Sequence, residues 1–251
     1  PAAAGLQPIL PEIKVYFPGE TQVGRIHAAR MPDGRTPIYF VDHPGYFHRE
    51  GLYQDRGGDF ADNAERFGFF CMAALWALRG LDWRPDIIWC NDWQTGLAPA
   101  FLANLSFFQE SEFYSHARRI FTIHNLAFQG LFDSAYVAWF GLPWSAFTME
   151  GMEYYGQVNL LKSGIVYSDA ITTVSRQYAE EIQCEEFGCG LDGVLRARHD
   201  SLTGILNGID AEAWDPTRDP ELAQGFSVAS IAQRQINKDM LCGRFGIDPG
   251  E

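Results

Sequence analysis

Four short apolar segments of the chain, of the kind found in strands buried on both faces, are separated by stretches with helical periodicity. The segments cover residues 87–90, 119–123, 170–174 and 203–206. Strands that alternate with helices in this way are typical of βαβ units, in which consecutive strands run parallel. The sequence therefore predicts an α/β fold built on a parallel sheet with flanking helices.

Polar residues stand at the ends of three of these segments. The pairs are Asn91 with Asp92, His124 with Asn125, and Asn207 with Gly208. Because the carboxyl ends of parallel strands and the helix N-termini converge at one edge of a sheet, ligands bind there. The repetition exceeds what helix capping requires, so it predicts a ligand site. Taken alone, Asp92 has the alternative of a helix N-cap, with its carboxylate accepting backbone N–H bonds.

Periodicity elsewhere predicts further strands and helices. Strand-like alternation covers residues 12–17, 23–30 and 37–41. The sequence P-D-G-R at residues 32–35 predicts a hairpin between the second and third of these strands. Helical spacing covers residues 63–81, 134–140 and 155–167. Lys162 lies in the last helix, and the usual exposure of lysine predicts a surface position for it.

Charge and composition exclude several classes of function. The 251 residues carry a net charge of -13, which argues against nucleic acid because that binding depends on clustered Lys and Arg. No apolar segment reaches the roughly 18 to 20 residues that a membrane helix needs. The five cysteines are an odd number without the density of a disulfide framework, so we expect a reduced, cytoplasmic compartment.

The usual cofactor and metal motifs are missing from the sequence. No G-x-G-x-x-G follows a predicted strand and no P-loop is present, so we predict no dinucleotide cofactor. Cys184 and Cys189, and likewise His43 and His48, lack the further ligands that a metal site requires. What remains is carboxylate, imidazole, amide and aromatic side chains, which suit a hydroxyl-rich ligand such as a sugar.

Aromatic residues near the predicted edge allow two interpretations. They are Tyr53, Trp89, Trp93, Phe128 and Trp144. As faces for stacking they would support a sugar site. Aromatic residues more often belong to the core, so by themselves they leave that choice open.

Four ordered stretches resemble bacterial glycogen synthases and plant starch synthases. Residues 84–102 contain N-D-W-Q where that family carries H-D-W-H. The others are F-T-I-H-N-L-A-F-Q-G-L-F at residues 121–132, N-L-L-K-S-G-I-V-Y-S-D-A-I-T-T-V-S at residues 159–175, and G-I-L-N-G-I-D-A-E-A-W-D at residues 204–215. The resemblance runs from about residue 25 to the end of the chain. Four matches in the same order favour kinship over coincidence.

The resemblance implies a GT-B architecture, in which two Rossmann-like domains face each other across a cleft. It implies retaining transfer of glucose from ADP-glucose to the non-reducing end of an α-1,4-glucan such as glycogen. Residues 1–227 are expected to form the N-terminal, acceptor-side domain without its first strands, and residues 228–251 a helix and linker toward a C-terminal nucleotide-sugar domain. The family's Lys-x-Gly-Gly-Leu loop and second domain lie outside this chain, so the chain alone is expected to be inactive.

The resemblance also assigns site residues. The expected catalytic residues are Asp92, near the acceptor or reacting sugar, and His124, at the donor glucose. The expected substrate-binding residues are Tyr53, Gln94, Asn125, Gln129, Asn207 and Gly208. The family often carries His in place of Asn91 and of Gln94. Glutamine can bond a hydroxyl group but cannot titrate, which puts a proton-transfer role at that position in doubt.

Two alternatives to a synthase stay open at this stage. One is a non-catalytic glucan-binding relative with the same fold, and the other is a related nucleotide-sugar glycosyltransferase. An α/β oxidoreductase is disfavoured by the missing glycine fingerprint. The choice of ADP-glucose over UDP-glucose depends on the resemblance alone.

Overall fold

The computed structural model describes residues 6–248, which form two compact units. The first unit ends at Leu206 and the second begins at Asn207. Within the described range, no helix is both long enough and apolar enough to cross a lipid bilayer. The predicted boundary between residues 227 and 228 concerns a connection toward a further domain, and it stays a prediction.

Strands and helices alternate along most of the chain. The strands are β1 (Gln7–Phe17), β2 (Glu20–Arg30), β3 (Pro37–Asp42), β4 (Gln54–Asp55), β5 (Gly58–Asp59), β6 (Ile87–Asn91), β7 (Arg118–Ile123), β8 (Leu131–Asp133), β9 (Glu153–Tyr154), β10 (Gln157–Asn159), β11 (Ala170–Thr173) and β12 (Leu202–Gly204). The α-helices are α1 (Pro44–Phe47), α2 (Asn63–Gly80), α3 (Leu97–Asn104), α4 (Ser106–Gln109), α5 (Tyr136–Trp139), α6 (Leu160–Tyr167), α7 (Arg176–Glu181), α8 (Asp192–Ala197) and α9 (Arg234–Phe245). Short 3₁₀ segments cover Trp93–Thr95, Trp144–Ala146, His199–Ser201 and Val228–Gln233.

The central sheet of the first unit contains four parallel strands in the order β12, β11, β7, β6. Helix α3 lies between β6 and β7 in sequence, and α6 lies between β7 and β11. In the middle of the sheet, Phe121 and Ile123 of β7 are completely buried. These features confirm the predicted α/β fold with a parallel sheet and flanking helices.

A separate antiparallel sheet precedes the parallel one, with its strands in the order β1, β2, β3. The predicted hairpin is confirmed, since β2 pairs with β3 from Arg30 opposite Pro37 onward. Asp33 shapes the turn, because its carboxylate accepts the backbone N–H groups of Arg35 and Thr36 at 2.8 and 2.9 Å. The aspartate of the P-D-G-R sequence thus closes the turn by bonding the backbone that follows it.

Glycines allow α3 and α6 to pack closely. A Cβ atom at Gly96, the residue before α3, would collide with the backbone carbonyl of Leu160. A Cβ atom at Gly164, within α6, would collide with the ring of Phe121 in β7. The hydroxyl of Ser163 in α6 stabilises the contact with the start of α3 by donating to the carbonyl of Gly96 at 3.0 Å. Two of the stretches that carry the family resemblance therefore meet in the core.

The predicted helix at residues 155–167 is wrong at its start, because α6 begins only at Leu160. Tyr155 and Gly156 both have positive φ angles and form a turn, after which β10 pairs with β8 and β9. Asn159 then caps α6 by accepting the backbone N–H of Lys162 at 2.8 Å. The helix predicted at residues 134–140 is shorter than expected, whereas the one at residues 63–81 is confirmed by α2.

Lys162 is buried, and its predicted surface position is wrong. Only 4% of the residue is exposed, and its ammonium group donates to the carbonyls of Met149 and Glu153 at 2.6 and 2.5 Å. Burial lowers the pKa of Lys162 from its ordinary value. The two acceptors come from the loop after the 3₁₀ segment Trp144–Ala146, which contains Met149, and from β9, which begins at Glu153.

The second unit consists of an irregular stretch followed by a 3₁₀ segment and α9. Ser227 and Ser230 form a capping box at the start of the 3₁₀ segment, each side chain accepting the other residue's backbone N–H. Helix α9 ends at Phe245, and the next residue, Gly246, has a φ of 63°, the left-handed conformation common after a helix C-terminus. The helix predicted beyond residue 228 is therefore present.

Candidate functional site

A cleft of about 610 Å³ opens where β6 and β7 end, at the edge of the sheet predicted to bind a ligand. Its lining residues are Tyr39, Phe40, Val41, Phe47, Tyr53, Phe67, Phe70, Asn91, Asp92, Gln94, Thr95 and His124. The structure thus brings together four of the predicted site residues, which are Tyr53, Gln94, Asp92 and His124. Aromatic side chains and hydrogen-bonding groups face the same space, as a sugar site requires.

Asp92, one of the residues that line this cleft, adopts a strained backbone conformation. Its φ of 55° and ψ of -179° lie in a region that is essentially restricted to glycine. Such a residue costs on the order of 1 to 3 kcal/mol and persists only where its surroundings enforce it. One carboxylate oxygen, Oδ1, accepts the backbone N–H of His124 at 2.8 Å. The N-cap alternative is wrong, because the side chain bonds to the end of β7 and to no N–H of the following helix.

Hydrogen bonds from two directions hold the strained turn in place. The hydroxyl of Thr95 accepts the N–H of Asn91 at 2.6 Å and lies 2.7 Å from its carbonyl oxygen. On the other side, the N–H of Asp92 donates to the carbonyl of Thr122 in β7 at 2.9 Å. Two residues before Asp92, burial raises the pKa of the Cys90 thiol to about 12, so this group stays protonated. The strain at Asp92 is therefore supported by both neighbouring elements.

The imidazole of His124 is oriented by Asn91. Its Nε2 lies 3.0 Å from Oδ1 of Asn91, and an amide oxygen can only accept, so this bond requires a proton on Nε2. In the neutral tautomer that makes this bond, the lone pair is on Nδ1. Asn91, at a position where the family often has His, thus fixes how the histidine presents itself to a ligand.

The structure shows which of the predicted aromatic residues line the cleft and which belong to the hydrophobic core. Trp93 is 8% exposed, and its ring packs 4.8 Å from Phe67 and 6.0 Å from Tyr53, measured between centroids. It therefore belongs to the core and packs against two residues that line the cleft. Tyr53 is 42% exposed and faces the opening. Trp89, Phe128 and Trp144 are exposed but do not line this cleft.

Asn125 and Gln129 lie outside the cleft lining and bond to the protein itself. Oδ1 of Asn125 accepts the N–H of Ala127 at 3.0 Å in a tight turn. The amide of Gln129 donates to the carbonyl of Cys189 at 2.9 Å, and its oxygen accepts the amide of Asn159 at 2.6 Å. These bonds order the loop after His124. Direct contact of either residue with substrate stays a prediction.

Asn207 and Gly208 begin the second unit, whereas the first unit lines the cleft. The last ladder bond before them runs from the N–H of Ile205 to the carbonyl of Thr173 at 2.8 Å. Their assignment to the donor side stays a prediction.

Sequence reasoning missed two features of the cleft. Tyr39 and Phe40 of β3 line the cleft and are 38% and 43% exposed. A hairpin pattern in the sequence does not show which other element the hairpin will pack against, so this position was not predictable. Thr95 holds the turn. A threonine three residues after Asp92 in a strand-to-helix turn is a local signal that could have indicated its hydrogen bonds to the backbone of Asn91.

We expect a loss of stability in acid through His43, which caps α1 beside the cleft. Its Nδ1 accepts the N–H of Tyr46 at 3.2 Å and its Nε2 lies 3.0 Å from the amide oxygen of Gln22, so the folded state holds the neutral ring. Burial lowers the pKa of His43 below its ordinary 6.5. A depressed folded pKa means that the unfolded chain binds more protons near that value, so the contribution is present above pH 6.5 and declines as pH falls below it.

Urea denaturation at pH 5, 6 and 7 would measure this effect. We expect a fall in unfolding free energy between pH 7 and 5, of which about 1 kcal/mol is the bond that protonation of His43 breaks. His43→Asn keeps an acceptor for the helix N-cap without titrating. Its curve should be flatter than that of the unchanged chain, and parallel curves would contradict the assignment.

Comparison with known proteins decides the family. Residues 6–197 match the family model of the starch synthase catalytic domain, which is more than half of the chain. The chain belongs to the starch synthase catalytic domain family. The resemblance predicted from the four stretches is thereby confirmed.

Relatives within this family include bacterial glycogen synthases. The glycogen synthase of Syntrophotalea carbinolica is 46% identical over 226 residues, which cover 90% of this chain and 46% of the relative. That of Koribacter versatilis is 44% identical over 235 residues, covering 94% of this chain and 48% of the relative. The chain therefore spans about half the length of these relatives.

A solved structure of the starch synthase family has the same fold. The catalytic domain of starch synthase IV from Arabidopsis thaliana, bound to ADP and acarbose, is 30% identical and matches with a TM-score of 0.78. The match covers 98% of this chain and 49% of that chain. It confirms the predicted Rossmann-like fold of GT-B type.

Proposed function

We propose that this chain forms the acceptor-side half of a glycogen synthase, which transfers glucose from ADP-glucose to the non-reducing end of an α-1,4-glucan with retention. The observation that carries the proposal is the turn at Asp92, where a strained backbone presents a carboxylate beside the imidazole of His124 in a cleft with aromatic walls. Strain of this kind clusters at functional sites. Membership in the starch synthase family supplies the reaction class.

Each polar group of the cleft has a role under this proposal. One oxygen of Asp92 is occupied by His124, which leaves the other for a hydroxyl of the reacting or acceptor sugar. His124 contacts the donor glucose through Nδ1 or its backbone carbonyl. Gln94 bonds a sugar hydroxyl, and Tyr53 offers a ring for stacking.

The remaining predicted contacts complete the proposal. Asn207 and Gly208 would line the donor side. Asn125 and Gln129 would support the segment after His124 through the bonds that they make to the protein, and Asn125 is exposed enough to reach a sugar as well.

The charge of the cleft explains why the chain alone is expected to be inactive. The leaving nucleotide diphosphate must be stabilised by cationic groups or helix N-termini. Among the described residues that line the cleft, none is Lys or Arg. The cations that stabilise the diphosphate must therefore come from outside this cleft, and we propose that they come from a second domain of the complete synthase.

Release of ADP tests the proposal. The complete synthase, given ADP-glucose, should release ADP only when glycogen is present, and UDP-glucose should be a much poorer donor. The isolated 251 residues should release none under either condition. If the complete protein binds glycogen but releases nothing from either donor, the synthase proposal fails in favour of a non-catalytic glucan-binding protein.

A further inference from the structure

One wall of the cleft is a loop with little regular structure of its own. After the last two residues of α1, residues 46–60 contain only the pair of two-residue strands β4 and β5. This segment supplies Phe47 and Tyr53 to the cleft lining. Phe47 ends α1, whereas Tyr53 lies in the loop that follows, so the position of Tyr53 above all depends on what the loop is attached to.

A buried arginine attaches the loop to α2. Arg66 is 3% exposed. Its Nε donates to the carbonyl of Tyr46 at 2.9 Å, and its Nη2 donates to the carbonyl of Leu52 at 3.1 Å. The planar guanidinium therefore holds the loop at two points, one residue before each of the aromatic side chains that face the cleft.

Asn63 extends this attachment to Tyr53 itself. It is also 3% exposed, and its Oδ1 accepts from Nη1 of Arg66 at 2.6 Å. Its Nδ2 donates to the carbonyl of Tyr53 at 2.9 Å. The two side chains, one turn apart on α2, thus form a continuous hydrogen-bonded bridge to the backbone of the cleft wall.

The charge of Arg66 has no ion-pair partner among the described residues, since none of the ion pairs of residues 6–248 includes it. Its guanidinium lies instead over the rings of Phe47, Phe60 and Phe67, at 5.8, 5.0 and 5.2 Å. Burial lowers the pKa of Arg66 from its ordinary value, and the charge of Asp62 opposes that shift without forming an ion pair with it. The guanidinium is therefore held mainly by its hydrogen bonds and by the surrounding rings. Two of the three rings line the cleft.

We propose that Arg66 and Asn63 are positioning residues for the acceptor glucan. They set the distance of Phe47 and Tyr53 from the carboxylate of Asp92, and so determine how the terminal sugars of the glucan lie in the cleft. This inference rests on the proposed synthase function. It assigns the bridge to acceptor binding and gives it no part in the transfer step.

Asn63→Asp in the complete synthase tests the bridge with little risk to the fold. The new carboxylate still accepts from Arg66 and gives it a counter-charge, but its second oxygen faces the carbonyl of Tyr53 and repels it. We expect the KM for glycogen to rise about tenfold, as for the loss of a hydrogen bond of about 1.4 kcal/mol. The kcat at saturating glycogen and the KM for ADP-glucose should change less than about twofold, a factor worth only ~0.4 kcal/mol.

Asn104→Asp is the matched control. Asn104 donates to the carbonyl of Ala100 within α3, away from the cleft, so the same chemical change should leave both KM values unaltered. Hydrogen exchange gives an independent readout, since Asn63→Asp should speed exchange in residues 46–60 and Asn104→Asp should not.

Three outcomes separate the claims. If the complete synthase without any substitution shows no glycogen-dependent ADP release, the proposed function is wrong. An active protein whose Asn63→Asp variant keeps its KM for glycogen overturns the positioning role, whether or not exchange in the loop increases. A parallel rise in the KM for ADP-glucose also overturns it, because the bridge would then act on the whole cleft.

Discussion

Asp92→Asn should lower the turnover of the complete synthase by about 10²- to 10³-fold, the range seen when one electrostatic contact to a transition state is removed. The substituted amide has the same shape and its oxygen still accepts the N–H of His124, but the negative charge that faces the cleft is gone. We expect the melting temperature to shift by no more than about 4 °C, which corresponds to roughly 1 kcal/mol. ADP release and thermal unfolding of the same preparation measure both quantities.

Two further variants separate chemistry from structure at this turn. Asp92→Gly removes both the charge and the backbone strain at φ 55°, so it should be inactive while as stable as the unchanged protein. His124→Ala removes the ring but leaves its backbone N–H to bond Asp92, and it should also lose turnover with little loss of stability. If activity and stability fall together in all three variants, Asp92 is a structural residue.

Gly96→Ala should destabilise the fold by about 3 kcal/mol, the upper part of the range for overpacked cores. The added methyl group would meet the backbone carbonyl of Leu160, and backbone cannot rotate away as a flexible side chain can. Helix α3 would have to move away from α6 and lose the bond from Ser163 to the carbonyl of Gly96. Urea denaturation of the 251-residue chain measures the change.

Gly193→Ala provides the matched control for this substitution. Gly193 lies in α8, and a Cβ atom there would have only the guanidinium of Arg196 nearby, at 3.9 Å. Because alanine favours a helix over glycine, we expect no loss and a gain of up to about 1 kcal/mol. Equal destabilisation by both substitutions would show that close packing at Gly96 is not the cause.

The parallel sheet and its ligand edge were predictable from sequence because both leave a local signature. A strand buried on both faces reads as an apolar run, and the residues that follow it stand at the edge of the sheet whatever the loops do. Asp92 and His124 could therefore be placed together from their positions after β6 and β7. The bonds of Gln129 were not predictable in this way, because a position in a motif does not reveal which groups an amide bonds. Its contact with substrate stays a prediction.

The features that escaped prediction depend on backbone groups brought from elsewhere in the chain. Lys162 is buried because two backbone carbonyls from before α6 accept hydrogen bonds from its ammonium group. The type of residue at a position does not predict that its backbone carbonyl will be such an acceptor. Arg66 is similar, since its main partners are carbonyls of a loop. The positive φ of Asp92 is a third example, because aspartate rarely adopts it unless its surroundings enforce it.

The strained turn at Asp92 has a consequence for the order in which the protein folds. Both bonds that hold Asp92 to β7 join residues about 30 apart in sequence, the longer spanning 32. Contacts at such separation form after local ones, because a long loop must close first. An isolated β6 segment has nothing to enforce the strained conformation, so we expect the turn to form only once β6 has docked on β7. The edge of the sheet that carries the proposed chemistry would then be a late product of folding.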